Sequence, residues 1–340
     1  MICDERMRLL VLDAKEKIEA NRKDDTIVMP LFTDLHTEAP DSPEVDTLCA
    51  LLAELKKELS PDAVIDLGDN PAMLGRNRHI QNDDLKQWFE ALLTRIHESA
   101  GCPLLTVHGN HDAPGTDFFK PDFWNALTKH KYGNTDAVYG ETGSYYYVDS
   151  DKADTRFVVL SVPHESDIEA EFPTPMWGFG TEQLDWLEQT ALNTDKQVII
   201  LIHVPFFDEY RGSLETTHPV WTGERAAVSR IWSLCGWIDD VERASAILNR
   251  FAETTGRLVA CLSGHTHTDS LRGGFEEQDG YRNPLACPQT VTESFRLPKQ
   301  DGRIYGFSLD VMVWTPSERY LALYRIGDGE DRVILQGTEN

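Results

Sequence analysis

The chain has 340 residues, 41% of them apolar, enough to bury a sizeable core, and no apolar run reaches the roughly 20 residues that a membrane-spanning helix needs. Its 57 acidic against 32 basic residues give a formal charge of −25, a field that repels polyanions and disfavours nucleic acid as a partner, although such an excess commonly only solvates a surface. Six cysteines, Cys3, Cys49, Cys102, Cys235, Cys261 and Cys287, form no C-x-x-C pair and sit partly in apolar stretches, so free buried thiols and a soluble, reducing, cytoplasmic setting are expected, with no membrane association.

Between residues 5 and 21, Met7, Leu10, Val11, Ala14 and Ile18 recur at helical spacing and predict an amphipathic helix. A strand over 26–32 follows, in which Pro30 predicts a bulge or irregular hydrogen bonding. Ser42 can cap the next helix with Pro43 at its first position, and Val45, Leu48, Leu52 and Leu55 give it an apolar face. A strand over 63–67, a helix from about 83 to 99 and a strand over 103–107 complete a β-α-β-α-β succession, which predicts a mainly parallel sheet.

Beyond His111, residues 121–131 read as a short helix, and 144–149 and 156–162 as two strands that begin a second sheet. Thr181 can cap a helix with Leu184, Leu187 and Ala191 on one face, leading into a strand over 198–202. Residues 206–245, which include His218, Trp221, Trp232 and Trp237, lack periodicity and read as a long excursion over the site. A strand over 258–262 and two more over 304–313 and 320–326 close the chain. This order predicts an α/β protein with two packed sheets flanked by helices. One domain over 1–340 is expected: an N-terminal helical segment to 24, a core over 26–267, and C-terminal strands from 268 that complete the sheet.

Five polar clusters each close one of the apolar runs: Asp34-Leu-His36, Gly68-Asp69-Asn70, Gly109-Asn110-His111-Asp112, His203, and Gly264-His265-Thr266-His267. In open α/β sheets ligands bind beyond the carboxyl ends of strands, so five such endings can build one site although the sequence scatters them. Asp34 and His36, two apart, could face one ion from a strand or a short loop. Gly68 permits a tight turn before Asp69, whose two carboxylate oxygens could bridge two cations. Asp-x-His and Gly-Asp are common turn sequences, and a lone His203 would ordinarily be a satisfied core histidine. Gly-Asn-His-Asp and Gly-His-Thr-His are far more specific, since core packing explains neither and imidazole is a frequent ligand of divalent metals.

The ordered series resembles the calcineurin-like metallophosphoesterase superfamily, from the first strand through His267. That resemblance implies a four-layer α-β-β-α sandwich of two mixed sheets. It also implies two divalent cations, one held by Asp34, His36, Asp69 and His267, the other by Asp69, Asn110, His203 and His265, with Asp69 bridging. Manganese is the first expectation for the ions, with iron, zinc or nickel as alternatives. A pair of cations about 3.5–4 Å apart polarises a phosphoryl group and makes hydroxide available from a bridging water near neutral pH. His111 would then stabilise the transition state and protonate the leaving oxygen without being a ligand, and Asp112 would orient it or its loop, or simply hold the turn.

Departures from branches of the superfamily narrow the substrate. The tract Asn70-Pro71-Ala72-Met73 lacks the second aspartate and arginine of the protein phosphatases, and Ala72 stands where purple acid phosphatases carry an iron-binding tyrosine. The Asp-x-His start with Gly-Asn-His-Asp is closer to phosphodiesterase-like branches, so a small phosphodiester is the expected substrate. A phosphomonoesterase or a nuclease of the same superfamily is the alternative, and a non-catalytic scaffold is disfavoured because every ligand position is filled. Arg76, Arg78, His164, His218 and Trp221 could line the pocket, although surface packing explains each as readily.

Overall fold

Two β-sheets lie face to face in the computed structural model, which describes residues 4–72, 82–109, 111–112, 121–161, 164–165, 177–206, 239–275, 277–278, 281–295 and 305–337. The elements run α1 (Glu5–Glu19), β1 (Ile27–Phe32), α2 (Pro43–Leu59), β2 (Val64–Asp66), α3 (Asn82–Ala100), β3 (Leu104–Thr106), α4 (Pro121–Thr128), β4 (Val138–Tyr139), β5 (Tyr146–Asp149), β6 (Thr155–Val159), β7 (His164–Glu165) and β8 (Trp177–Gly178). They continue with α5 (Thr181–Trp186), β9 (Gln197–Leu201), α6 (Asp239–Thr255), β10 (Leu258–Ser263), β11 (Ser270–Arg272), β12 (Glu277–Gln278), β13 (Tyr281–Arg282), β14 (Gln289–Val291), β15 (Ser308–Thr315), β16 (Tyr320–Gly327) and β17 (Arg332–Leu335).

The first sheet has the order β17-β16-β15-β1-β2-β3, and the second β11-β14-β10-β9-β6-β5-β4. In the first, β1, β2 and β3 are parallel, as the β-α-β-α-β succession predicts, while the C-terminal strands add an antiparallel half beside β1. In the second, β14, β10, β9 and β6 are parallel, with antiparallel pairings at both edges. The sheet is therefore mixed in each case. A parallel pair sends both carboxyl ends to one edge, which gathers the loops after β1, β2 and β3 at the end of one sheet and those after β9 and β10 at the same end of the other.

Between the sheets lies an apolar layer that includes Met29, Leu31, Ile65, Leu105 and Trp314 from one and Phe157, Val159, Ile199, Leu201 and Leu262 from the other. Helices α1, α2 and α3 cover the outer face of the first sheet through Val11, Ile18, Leu48, Leu52, Phe89 and Leu93. Helices α5 and α6 cover the second through Leu184, Leu187, Ala244, Leu248 and Phe251. The layer order is α-β-β-α, as expected. Strands buried on both faces explain why their sequences read as continuous apolar runs rather than as alternation.

Several expectations need correction. Pro30 makes no bulge: the register with β15 runs unbroken through Pro30 and Val311. Val28, whose N–H points the same way two residues earlier, donates to the Asp62 carboxylate, and the paired register with β2 starts only at Leu31, so the missing donor falls before that ladder. Thr181 does not cap α5; Gly180 occupies the cap position at φ 72° without a side-chain hydrogen bond, and the helix continues into a π turn over Leu187–Ala191. Helix α6 begins at Asp239, inside the stretch over 206–245 expected to lack a core element; residues 207–238, with His218, Trp221, Trp232 and Trp237, lie outside the described residues. Strand β17 was not expected at all.

Cys49, Cys261 and Cys287 are buried free thiols and Cys102 is half-buried, whereas Cys3 and Cys235 lie outside the described residues. Among the described residues, no helix is long and apolar enough to cross a membrane.

Candidate metal centre

Each expected cluster sits just beyond a strand, and the described members converge. Three groups of side chains each bring their ligand atoms within 4.8 Å of one another: Asp34, His36 and His267; His36, Asp69 and His111; and Asp69, His203 and His265. Asp69 and His36 are shared between groups, so the six-residue set plus His111 forms one continuous cluster. Asn110 lies outside the described residues, as do Arg76, Arg78 and Met73 and the side chain of His164.

Asp34 is fully buried, and its two oxygens have different partners. Oδ2 accepts from the Thr33 hydroxyl at 2.7 Å and from the backbone N–H of His265 at 2.9 Å. Oδ1 faces imidazoles instead, 3.1 Å from Nε2 of His267, 3.5 Å from Nε2 of His36 and 4.0 Å from Nε2 of His203. The two imidazoles of His36 and His267 approach each other at 2.9 Å between Nε2 atoms.

Asp69 repeats the division of labour. Its Oδ1 accepts from the backbone N–H of His111 at 2.6 Å, while Oδ2 lies 3.1 Å from Nε2 of His203 and 3.9 Å from Nε2 of His111. His203 directs Nδ1 at the carbonyl of Leu67, 2.8 Å away, so that nitrogen carries a proton and Nε2 is the ring atom left to face the carboxylates. Nε2 of His203 and Oδ1 of Asp34 are both buried without a hydrogen-bond partner among the described residues. Buried polar atoms are ordinarily satisfied. Ligand atoms turned toward one another across this space fit a cation in place of the imidazole proton, and a mixed imidazole and carboxylate donor set suits first-row divalent metals.

The electrostatics point the same way. Burial pushes the Asp34 carboxyl up, but the His267 and His203 charges outweigh it and hold the group well below its ordinary range. Against the same burial, His203 pulls Asp69 down to about 2. Burial opposes charge on His203, yet Asp69 and Asp34 raise it to about 10, and Asp34 likewise raises His267. The carboxylates therefore demand positive charge at this spot, which a metal ion also supplies.

His111 lies beside this cluster, its ring 4.8 Å from that of His36 at an interplanar angle of 83°. Burial pulls its imidazole below the ordinary value, against the opposing pull of Asp69. Asp112 does not orient that ring. Its Oδ2 accepts from the backbone N–H groups of Asp69 at 2.9 Å and Gly109 at 2.6 Å, and its Oδ1 from Asn70 at 2.9 Å. The carboxylate thus ties the loop after β3 to the loop after β2.

Backbone conformation is unusual here. Asp34, His36, Asp69, His265 and His267 have φ of 52°, 43°, 58°, 75° and 59°, the left-handed region that L-residues with a Cβ rarely occupy. Two glycines allow the close approach of these loops. A Cβ on Gly109 would stand 2.2 Å from Oδ1 of Asp69, and one on Gly264 would stand 2.0 Å from Oγ1 of Thr33. Neither position needs a positive φ; what each needs is space.

The supporting residues Thr33 and Ser294 were not picked out from sequence. Ser294 donates its hydroxyl to the Asp34 carbonyl at 2.7 Å across 260 residues of chain, a separation that leaves no local signal. Thr33 precedes Asp34 directly and could have been suspected on that ground.

The sequence model of the calcineurin-like phosphoesterase family matches residues 31–269. No curated protein matches the chain. Among solved structures, a dimetal phosphatase from Danio rerio superposes with a TM-score of 0.60 at 14% identity, covering 92% of this chain and 99% of that one. PhoD superposes with a TM-score of 0.50 at 12% identity, covering 92% of this chain and 72% of that one. At these identities the likeness is one of fold.

Proposed function

This chain belongs to the calcineurin-like phosphoesterase family, and from that premise we propose that it hydrolyses a small phosphodiester. Family membership makes it a metal-dependent hydrolase of phosphoric esters with a dinuclear divalent centre. The finer reading concerns which residues hold the ions, which ester is cleaved and which metal is used.

We assign Asp34, His36 and His267 to one cation and His203 and His265, with Asn110, to the other, with Asp69 shared. The observation that carries this assignment is the pair of donor groups Asp34–His36–His267 and Asp69–His203–His265, joined through the His36–Asp69–His111 group. When bound, the two cations supply Lewis acidity toward the phosphoryl oxygens and lower the pKa of a water between them. The protein's own part is to keep the Nε2 lone pairs and one oxygen of each carboxylate pointed inward. It does so by spending the remaining Asp34 and Asp69 oxygens and Nδ1 of His203 on backbone and hydroxyl partners.

His111 sits in the same cluster but at the longer distance of 3.9 Å from Asp69 Oδ2, and its ring is partly accessible. That position suits a group that donates a hydrogen bond, then a proton, to the departing ester oxygen. Asp112 acts on it only through the loop that both share. The diester preference is supported by the tract after Asp69. Its residues Asn70-Pro71-Ala72-Met73 lack the second aspartate and arginine of the protein phosphatases and the tyrosine of the purple acid phosphatases.

We take manganese as the first expectation, and the mixed imidazole and carboxylate set is equally compatible with iron, zinc or nickel. We read the described elements as one catalytic domain, because the C-terminal strands β15–β17 complete the sheet that carries Asp34 and Asp69. The formal charge of −25 supports a small substrate over nucleic acid, and the free thiols support a reducing, cytoplasmic setting.

The test is metal-free protein reconstituted with manganese, with bound metal counted on the preparation assayed against bis-p-nitrophenyl and p-nitrophenyl phosphate. Two equivalents of metal with faster diester turnover are expected. Monoester preference would overturn the diester reading, and no turnover at full occupancy would favour a scaffold.

A further inference from the structure

A cluster of buried charge stands behind the metal loops, mostly in strands that follow residue 269, where the family match ends. Arg325 on β16 has a side chain only 1% exposed. Its Nε donates to Oδ1 of Asp310 on β15 at 2.8 Å, its Nη2 to Oδ1 of Asp269 at 2.7 Å, and its Nη1 to the Asp328 carbonyl at 2.6 Å. Arg332 on β17 donates to Asp269 and Asp310 as well, and to the Val291 carbonyl at 2.7 Å. Thr292 donates its hydroxyl to Asp310 at 3.1 Å.

This cluster ties both sheets to one side of the centre. Asp269 is two residues beyond His267, and its Oδ1 also accepts the backbone N–H of Glu293 at 3.0 Å. The segment that follows crosses to the end of β1: Ser294 donates its hydroxyl to the Asp34 carbonyl at 2.7 Å, and Phe295 donates its N–H to the Thr33 carbonyl at 2.9 Å. Asp34 and His267 are thus both tethered to the same arginine pair. The side chains of His203 and Asp69, by contrast, are held by the Leu67 carbonyl and the His111 N–H, in the loops after β2 and β3, while the His265 N–H on Asp34 Oδ2 and the Gly264 N–H on the His203 carbonyl join this second group to the tethered loop.

We propose that Ser294, Asp269 and Arg325 are positioning residues that set the geometry of the Asp34–His36–His267 cation position and bear less on the Asp69–His203–His265 position, where the Asp69 and His203 side chains are held by other loops. The proposal rests on the two-cation reading above. A buried ion cluster adds little net stability over an apolar core of the same volume, so stability alone does not account for it. What a guanidinium fork supplies is direction, because it fixes the plane and location of the carboxylate it holds. Partners of metal ligands typically tune affinity by about 10–100-fold. Here those partners lie on the backbone of the ligand loops, where Asp34 and His267 both hold left-handed φ values.

The experiment is titration of manganese into the metal-free full chain by calorimetry, comparing wild type with Ser294→Ala and Asp269→Asn, with thermal melts of each metal-free protein to establish folding. Wild type is expected to take up two equivalents. In both variants one equivalent should weaken by about 10-fold or more while the other stays within about 2-fold. Equal weakening of both equivalents, or none in folded Ser294→Ala, would overturn the clamp and leave the two-cation reading standing. Fewer than two equivalents in wild type would overturn that reading, and the clamp with it. Ser294→Ala removes one hydroxyl and keeps the ion cluster, so it decides the matter even if Asp269→Asn fails to fold.

Discussion

Nε2 of His203 stands 3.1 Å from Oδ2 of Asp69, while the other ring nitrogen is committed to the Leu67 carbonyl and the other carboxylate oxygen to the His111 N–H. Asp69→Asn keeps an acceptor for that N–H but removes the charge. Metal content is expected to fall well below two equivalents with little change in the melting temperature of the metal-free protein. Elemental analysis after desalting checks this, and full retention of both ions would contradict the shared role of Asp69.

His111→Gln separates chemistry from metal binding. The variant should hold both ions and lose about 10²–10⁴-fold in kcat, the usual contribution of a positioned acid. Metal analysis and steady-state rates on one preparation provide the check. Parallel loss of metal would make His111 a ligand, a role its membership of the His36–Asp69–His111 group leaves geometrically open.

Asp112 should matter through the fold. Alanine there would strand three buried N–H groups, those of Gly109, Asp69 and Asn70, at a cost of about 1–3 kcal/mol each. Urea denaturation of the metal-free protein measures it. A wild-type midpoint would show that water or a shifted loop replaces the carboxylate.

Asp310 gives stability a dependence on acid. Burial pushes its carboxyl up, but Arg332 and Arg325 pull it further down, to a net position below the ordinary 3.8. An unfolded Asp310 binds its proton first as pH falls. Its contribution is therefore fully present above about pH 4 and is lost as pH drops through the lower folded value. Denaturation midpoints from pH 7 to pH 2 should show wild type declining more steeply at the acid end than Asp310→Asn, and that variant should be the weaker at pH 7.

Gly264→Ala tests the close approach of the histidine loop to β1. Its new methyl would meet Oγ1 of Thr33 at 2.0 Å and Oδ2 of Asp34 at 2.7 Å. Overpacking of this kind costs about 1–3 kcal/mol, and because the displaced atoms hold Asp34, metal affinity should fall too. Unchanged affinity in a destabilised variant would show that the loop yields instead of the carboxylate.

Much of this arrangement was legible because its signals are local. Apolar runs marked β1, β2, β3, β9 and β10 to within a residue or two, and the described aspartates and histidines Asp34, His36, Asp69, His111, His203, His265 and His267 after them meet in space. Ser42 and Pro43 announced the start of α2, where Ser42 accepts from the Val45 N–H as a cap should. Other features had no local signal. Pro30 looked irregular because a sequence does not show which neighbour its nitrogen faces. Helix α6 was partly hidden inside a polar, aromatic stretch, although Val241, Ala244, Leu248 and Phe251 carry its spacing. Asp112 followed His111 closely enough to suggest partnership, and only the fold shows that the loop after β2 takes its carboxylate instead. Ser294, Asp269 and Arg325 owe their positions to contacts across 15 to 260 residues, beyond any window of sequence.

The left-handed backbone at Asp34, His36, Asp69, His265 and His267 sets metal binding and foldedness partly against each other. Glycine would relieve the conformation at each of these positions while deleting the donor atom. A β-branched residue would delete the donor and worsen the conformation. Loss of the metal centre can therefore leave a well-folded protein behind, and selection for stability alone would drift toward glycine at the residues on which the chemistry depends.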